Sequence, residues 1–227
     1  MGTVERRERE KEYRRNEILN AAEKIFFSKG IQYATMDEVA EEAELSKGTL
    51  YIYFKSKEEI FGGICERAGL ILREKFEKAY SENQKGIDKI YAVGLAYYEF
   101  SKEYPDYFNS VMHYEMMEYS KGKEFEEGGV TYLKDDTEFN LVIASVQAGI
   151  DDGTIRKELD PVHTALLLYG MSRGVIKLAA KEAQTDRGKR KFDPEDLMNK
   201  FFEFVGYSLS TDNSGWSLNK SDDIQGE

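Results

Sequence analysis

Apolar residues recur at helical spacing along almost the whole chain, and no segment alternates as a strand would. Ile18, Ala21, Ala22, Ile25 and Phe26 fall at i, i+3, i+4, i+7 and i+8, a single buried face. Gly30 follows as a helix-terminating C′ residue. Met36, Val39, Ala40 and Ala43 repeat the pattern over about two turns. Thr35 and Glu38 flank the start of that second segment as a capping box. Ser46 is a good N-cap for a third helix, on which Leu50 and Phe54 lie four apart and bury together. Ser56 with Glu59 reads as another capping box, so a fourth helix begins near Lys57.

The pattern continues beyond this head. A long helix is predicted from Ser56 to about Ser81, then a stripe of Ile87, Ile90, Tyr91, Gly94, Leu95 and Tyr98. Pro105 suits a first turn ahead of Phe108, Val111, Met112 and Met116. Lys121 to Gly129 reads as a charged connection. Phe139, Val142, Ile143, Val146 and Ile150 mark a helix stopped by Asp151-Asp152-Gly153. Asp160-Pro161 opens a helix to about Ala183, and Asp193-Pro194 opens the last, to about Leu209. The expectation is an all-α protein of about nine helices. Its three-helix N-terminal head spans residues 1–56, with 1–14 set apart as a flexible arm. A larger helical domain spans 57–210, and a polar tail expected to be flexible spans 211–227.

Two short helices joined by a tight connection, Thr35 to Glu44 and then Ser46 onward, describe a helix-turn-helix. The first would brace on phosphates and the second would enter the major groove. Lys47, Thr49, Tyr51, Tyr53 and Lys55 surround the Leu50/Phe54 stripe. Tyr51 and Tyr53, two apart, point in different directions, so at least one is expected outside. Gly48 within a helix costs about 1 kcal/mol against alanine, which argues for close approach to a partner.

Charge sharpens the picture. The 227-residue chain carries a net charge of −11, yet residues 1–57 hold 11 Lys+Arg against 11 Asp+Glu. Leu45 to Lys57 has three lysines and no acid. Charges are screened beyond about 8–10 Å at physiological salt, so an acidic body need not repel DNA from a local basic face. Glu5 to Arg15, with six basic and four acidic residues, reads as a solvated helical extension held by i,i+4 pairs. A DNA-reaching arm is the other reading.

The run ILNAAEKIFFSKGIQYATMDEVAEEAELSKGTLYIYFKSKEEIF resembles the N-terminal domain of the TetR family of transcriptional regulators, over roughly Arg15 to Phe61. Its most specific part is S-K-G-T-L-Y-x-Y-F-x-S-K-E, here Ser46 to Glu58. Two positions depart from the family. Glu44 stands where many members place a turn glycine, and a left-handed backbone there would cost roughly 1 kcal/mol. Ile52 stands where an aromatic often follows the first tyrosine. The resemblance implies DNA contacts from Thr35, Lys47, Gly48, Thr49, Tyr51, Tyr53, Lys55 and Lys57 with a double-stranded operator.

The resemblance also implies a ligand-responsive body and dimerisation through the last two helices. Those helices are apolar nearly all round, so one side is expected on a second copy. Leu167, Met171, Val175, Leu178, Leu197, Phe201, Phe204 and Val205 are the expected interface. Tyr91, Leu95, Tyr98, Phe108, Met112, Met116, Phe139 and Ile143 are the expected lining for a hydrophobic or aromatic small-molecule effector. Release of a homodimeric repressor from a pseudo-palindromic operator is the implied function. The rival is a helical small-molecule-binding or scaffolding protein whose head no longer binds DNA.

The remaining chemistry is sparse. With 41% hydrophobic and 33% charged residues the composition is globular. No apolar run approaches the ~18 residues of a membrane span. Cys65 is alone, which excludes an intrachain disulfide and suits a cytoplasmic location. His113 and His163 lack ligand spacing, and Asp135-Asp136 and Asp151-Asp152 lack the rest of a calcium loop. No catalytic constellation, metal or cofactor is expected.

Overall fold

The computed structural model describes the backbone of residues 3–120, 137–189 and 191–211, with side chains at 5–115, 138–186, 188–189 and 191–211. Among the described residues there are nine α-helices, a short 3-10 turn at Arg187–Lys189 and no strand. The helices are α1 (Thr3–Lys29), α2 (Met36–Glu42), α3 (Lys47–Tyr53), α4 (Lys57–Glu82), α5 (Gly86–Glu103), α6 (Pro105–Ser120), α7 (Thr137–Asp151), α8 (Pro161–Ala183) and α9 (Pro194–Leu209). The all-α expectation holds; a lone antiparallel bridge joins Ile155 and Ser210. The Lys121–Gly129 connection, Met116, Asp135-Asp136 and the tail beyond Thr211 lie outside the residues whose side chains are described.

The chain forms two compact units, Met1–Leu70 with Pro105–Lys123, and Ile71–Tyr104 with Glu124–Glu227. Helix starts alone put the domain boundary at residues 56/57. In the structure, the first turns of α4 serve the N-terminal core instead. Ile60, Phe61 and Ile64 bury with Ile18, Leu19, Ala22, Phe26, Val39, Ala40, Leu50 and Phe54. Their spacing on α4 is i, i+1, i+4, so the apolar face of that helix has a ready partner before Leu70.

A polar cluster ties three helices of this first unit together. Arg67 on α4 donates to Glu23 (2.8 Å), to the Asn20 side chain (2.8 Å) and twice to Asn16 (2.7 and 3.0 Å) on α1. Tyr107 of α6 donates to the same Glu23 carboxylate at 2.9 Å. Burial, together with that carboxylate, pushes the Tyr107 phenol up to about 12. Cys65 stands two positions before Arg67 on α4, its thiol pushed up to about 12 by burial and by the Glu115 and Glu66 carboxylates. It is therefore a thiol at any physiological pH, unsuited to nucleophilic work.

In the second unit, α5 packs against α7, α8 and α9, and α8 lies between α7 and α9. The core gathers Ile90, Val146, Ile155, Val205 and Leu209. No side chain of α5's own first turn caps it. Its first amides donate instead to the turn after α7: Gly86 N–H to Asp152 at 2.7 Å, and Ile87 N–H to the Thr154 hydroxyl at 3.2 Å. At the other end, Arg156 donates to the carbonyls of Tyr207 and Ser210, both at 3.0 Å, closing the last turn of α9. Asp160 and Asp193 cap α8 and α9 as their Asp-Pro signals predict.

Candidate nucleic-acid interface

The helix-turn-helix is built from its caps outward. Thr35 Oγ1 accepts from the Glu38 amide (3.3 Å) while the Glu38 carboxylate accepts from the Thr35 amide (2.9 Å), a complete capping box on α2. Glu38 also accepts from Lys29, and chiefly for that reason its carboxyl is held down to about 2. Ser46 Oγ accepts from the Thr49 amide at 3.1 Å and starts α3. Between the two helices Glu44 has φ 54°, the left-handed conformation for which glycine is otherwise chosen. The third expected box is only half made. Ser56 Oγ accepts from the Glu59 amide (3.2 Å), but the Glu59 carboxylate takes the Lys55 amide (2.6 Å) and not that of Ser56.

α3 is a seven-residue helix that buries Leu50 on one side. At 3.6 residues per turn the opposite side carries Gly48 and Ile52. Ile52 is 70% exposed, and a Cβ on Gly48 would meet only the Ser46 hydroxyl, at 3.9 Å. The face aimed outward is thus small and apolar at its crest. Tyr51 is exposed beside it, whereas Tyr53 packs partly into the N-terminal core. Tyr51 is the exposed one of the two, of which their spacing requires at least one outside.

The expected cations do not form a uniform phosphate-binding set. Lys47 stays on the surface and pairs with Asp37 of α2 at 2.7 Å, which raises its pKa. Lys55 Nζ donates to the Tyr51 carbonyl at 2.8 Å, at the end of α3. Lys57 is a correction. It is half-buried, and its ammonium donates to the carbonyls of Ile31 (2.9 Å), Gln32 (3.2 Å) and Ala34 (3.1 Å). Three donors meet three acceptors, so nothing remains for a phosphate. Thr35 and Gly48 are exposed; Thr49 is half-buried, with its hydroxyl 2.8 Å from that of Ser46.

Two features carry no mark in the sequence. Asp37 sits ten positions before its partner Lys47, and only the packing of α2 on α3 brings them together. Tyr33, exposed in the turn before α2, belongs to no periodic stripe.

Residues 18–64 match the model for bacterial regulatory proteins of the tetR family. The N-terminal domain is a TetR-family DNA-binding domain. An uncharacterized HTH-type regulator of Bacillus subtilis, YfiR, is 46% identical over 56 residues, 25% of this chain and 27% of its own length. The repressor KstR2 of Rhodococcus jostii is 26% identical over 163 residues, 65% of this chain and 70% of its own. FadR of Bacillus subtilis, solved with stearoyl-CoA, shares the fold with a TM-score of 0.60 at 19% identity, over 85% of this chain and 97% of that one. The chain spans 27, 47 and 54% of the length of three regulators that it matches, YfiR among them. The TetR-family likeness is therefore strongest in the head.

The expected effector residues are divided between the units. Phe108 and Met112 belong to the first; Tyr91, Leu95, Tyr98, Phe139 and Ile143 belong to the second. Within the second unit Tyr91 packs edge-on to Phe202, and Phe139 packs on Tyr169 beside Ile143. Tyr98 is buried and donates to Glu195 at 2.9 Å; burial and that carboxylate raise its pKa. Met116 lies outside the described side chains.

The expected dimer set also divides. Leu167, Met171, Leu178 and Phe204 are exposed, and Val175, Leu197 and Phe201 are half-buried. Val205 is corrected: at 4% exposure it fills the unit's own core, so it has no surface to offer a partner. Among the described residues no helix is long and apolar enough to cross a membrane. No His/Cys/Asp/Glu group among them is arranged to hold a metal.

Proposed function

We propose that this regulator is a homodimeric repressor, released from a pseudo-palindromic operator by a hydrophobic small molecule. The observation that carries the DNA half of this reading is the outward face of α3. Gly48 and Ile52 form its crest, flanked by Lys47 and Tyr51, on a helix fixed at its start by the Ser46 cap. Such a crest approaches base edges closely, and the flanking cation and phenol meet phosphates. Thr35 supplements them from the start of α2.

The dimer reading rests on α8. Leu167, Met171 and Leu178 recur at i, i+4, i+11, and Gly170 and Gly174 stand between them with nothing within 4 Å of a Cβ placed there. A second copy of this chain, docked on α8 and Phe204 of α9, covers that apolar stripe. A hydrophobic effector accords with the aromatic content of α5 to α7 and with the stearoyl-CoA bound by FadR. Its binding favours one of two states that differ in the spacing of the paired α3 helices.

Electrophoretic mobility shift with the DNA upstream of the chain's own gene tests the reading. A retarded species is expected, weakened in Lys47→Ala and Tyr51→Ala. Light scattering is expected to give the mass of a dimer for the wild type and of a monomer for Leu167→Glu/Leu178→Glu. Absence of any retarded species at low salt would favour the rival, a helical binding protein with an inactive head.

A further inference from the structure

α1 begins well before it has anything to pack on. Its residues from Glu5 to Tyr13 are all exposed, and its first buried residue is Ile18. The fold does not need this extension, yet its charges are sorted. At 3.6 residues per turn Glu5, Glu8 and Glu12 fall on one side of the helix. Arg6, Arg7, Lys11 and Arg14 fall on the other, and Arg9 lies at the border beside Glu5, whose carbonyl its guanidinium takes at 3.3 Å. The two acids on the cationic side are already neutralised: Arg6 bonds Glu10 at 3.0 Å, and Arg14 bonds Glu17 at 2.7 Å. Arg7 and Lys11 make no ion pair among the described residues.

The cationic side also borders the helix-turn-helix. Arg6, Arg7, Arg9, Lys11, Tyr13 and Arg14 line an open groove of about 610 Å³ together with Glu10, which Arg6 holds, and Tyr53 of α3 completes it. Tyr53 is the last residue of α3, so the groove reaches the C-terminal end of that helix. A sequence-average view hides this, because residues 1–57 carry no net charge.

We propose that the cationic side of the α1 extension, with Tyr53, is a second DNA-contacting surface that takes the phosphodiester backbone beyond the base pairs read by α3. This rests on the DNA-binding reading of α3 given above. A polyanion fits better than a single anion, because the cations are strung along the helix. Residues 5–13 extend about 13 Å at 1.5 Å per residue, the axial length of about four phosphates on one strand. Acids turned to the opposite side lie across the helix from the strand. Salt screening over about 8–10 Å further separates them.

The full-length protein is titrated with two duplexes at several salt concentrations. One ends at the footprinted site and the other is longer by about ten base pairs, one helical turn, at each end. The wild type is expected to bind the longer duplex more tightly and with a steeper salt dependence. In Arg6→Gln/Arg7→Gln/Lys11→Gln that advantage disappears and the salt slope on the longer duplex falls by about 2–3, near 0.9 for each phosphate no longer neutralised. Arg6→Lys/Arg7→Lys keeps the advantage, and Glu8→Gln, on the opposite side, leaves the length dependence unchanged. The inference is overturned if duplex length has no effect on the wild type. Equal weakening of the triple variant on both duplexes also overturns it, since the cations then act by bulk charge. Failure of the wild type to bind either duplex would remove the DNA-binding reading itself, a distinct outcome from loss of the length effect alone.

Discussion

Lys57 Nζ donates to the carbonyl oxygen of Ala34 at 3.1 Å, and the same ammonium also takes the carbonyls of Ile31 and Gln32. A cation beside a DNA-binding helix is thereby committed to holding the turn between α1 and α2. Lys57→Ala strands three carbonyls in a half-buried loop. A loss of about 1–3 kcal/mol is expected, read as a lower denaturation midpoint by circular dichroism. The salt slope of DNA binding by the folded fraction stays at the wild-type value. A slope reduced by about one would mean that Lys57 touches a phosphate after all.

Lys47 behaves in the opposite way. Its bond to Asp37 is on the surface, where such pairs hold little, so a phosphate can replace the carboxylate. Lys47→Ala is expected to lower the salt slope by about one. Asp37→Asn frees the ammonium and removes an anion from the DNA side, so it binds DNA more tightly, with the gain shrinking as salt rises. Equal affinity of Asp37→Asn and wild type at low salt would exclude this competition.

The contrast between these lysines marks how far the sequence can be read. Caps and periodicity are local, and they place α1 to α4, the Glu44 turn, Pro105, and the Asp-Pro helix starts. Spacing alone requires that at least one of Tyr51 and Tyr53 be exposed, but not which one. Lys47, Lys55 and Lys57 look alike in a sequence, because what separates them is which backbone or carboxylate lies within reach in the fold. Val205 is misassigned for a related reason. A helix that is apolar all round has no periodic mark to distinguish the side facing its own core from the side facing outward. The expected effector residues share only a composition, which carries no information on the unit into which each one folds.

The capping box on α2 gives the head an acid-side dependence. The Lys29 bond, followed by the Thr35 bonds, holds the Glu38 carboxyl down to about 2, against 4.5 ordinarily. A depressed folded-state pKa stabilises above the unfolded value and is lost as the pH falls through the folded one. The Glu38 contribution is thus complete above about pH 5 and fades between 4.5 and 2. Denaturation midpoints of wild type and Glu38→Gln are expected to differ by a constant amount from about pH 7 to 5 and to converge towards about pH 2. A difference that persists undiminished at the acid end would rule the carboxylate out as its source.

Glu44 carries a different cost. Its φ of 54° places a side chain where Cβ crowds the following carbonyl. Glu44→Gly relieves that strain and gives back part of the gain through a more flexible unfolded chain. A net stabilisation of about 0.5–1 kcal/mol is expected, seen as a raised melting temperature of the full-length protein. Glu44→Ala relieves nothing, since alanine keeps the Cβ, and it serves as the control. Equal melting temperatures for the glycine and alanine variants would show that the turn is not strained.

In the second unit, the start of α5 is pressed onto the end of α7 so closely that side chains are excluded. A Cβ on Gly86 would lie 1.9 Å from the Gly149 nitrogen, and one on Gly149 would lie 2.4 Å from Ile155 Cδ1. The first obstacle is backbone, which cannot rotate away; the second is the buried side chain of Ile155, met at Cδ1, at Cγ1 (2.5 Å) and at Cβ (3.0 Å). The same approach delivers the Gly86 amide to Asp152 and the Ile87 amide to Thr154, so pushing the helices apart also uncaps α5. Gly86→Ala is therefore expected to cost about 3 kcal/mol or more, the upper end for overpacking joined to a lost cap. Gly149→Ala is expected to cost about 1–3 kcal/mol, because Ile155 can yield. Chemical denaturation of both variants checks the order. A Gly86→Ala variant as stable as the wild type would mean that α5 and α7 do not meet at these two glycines.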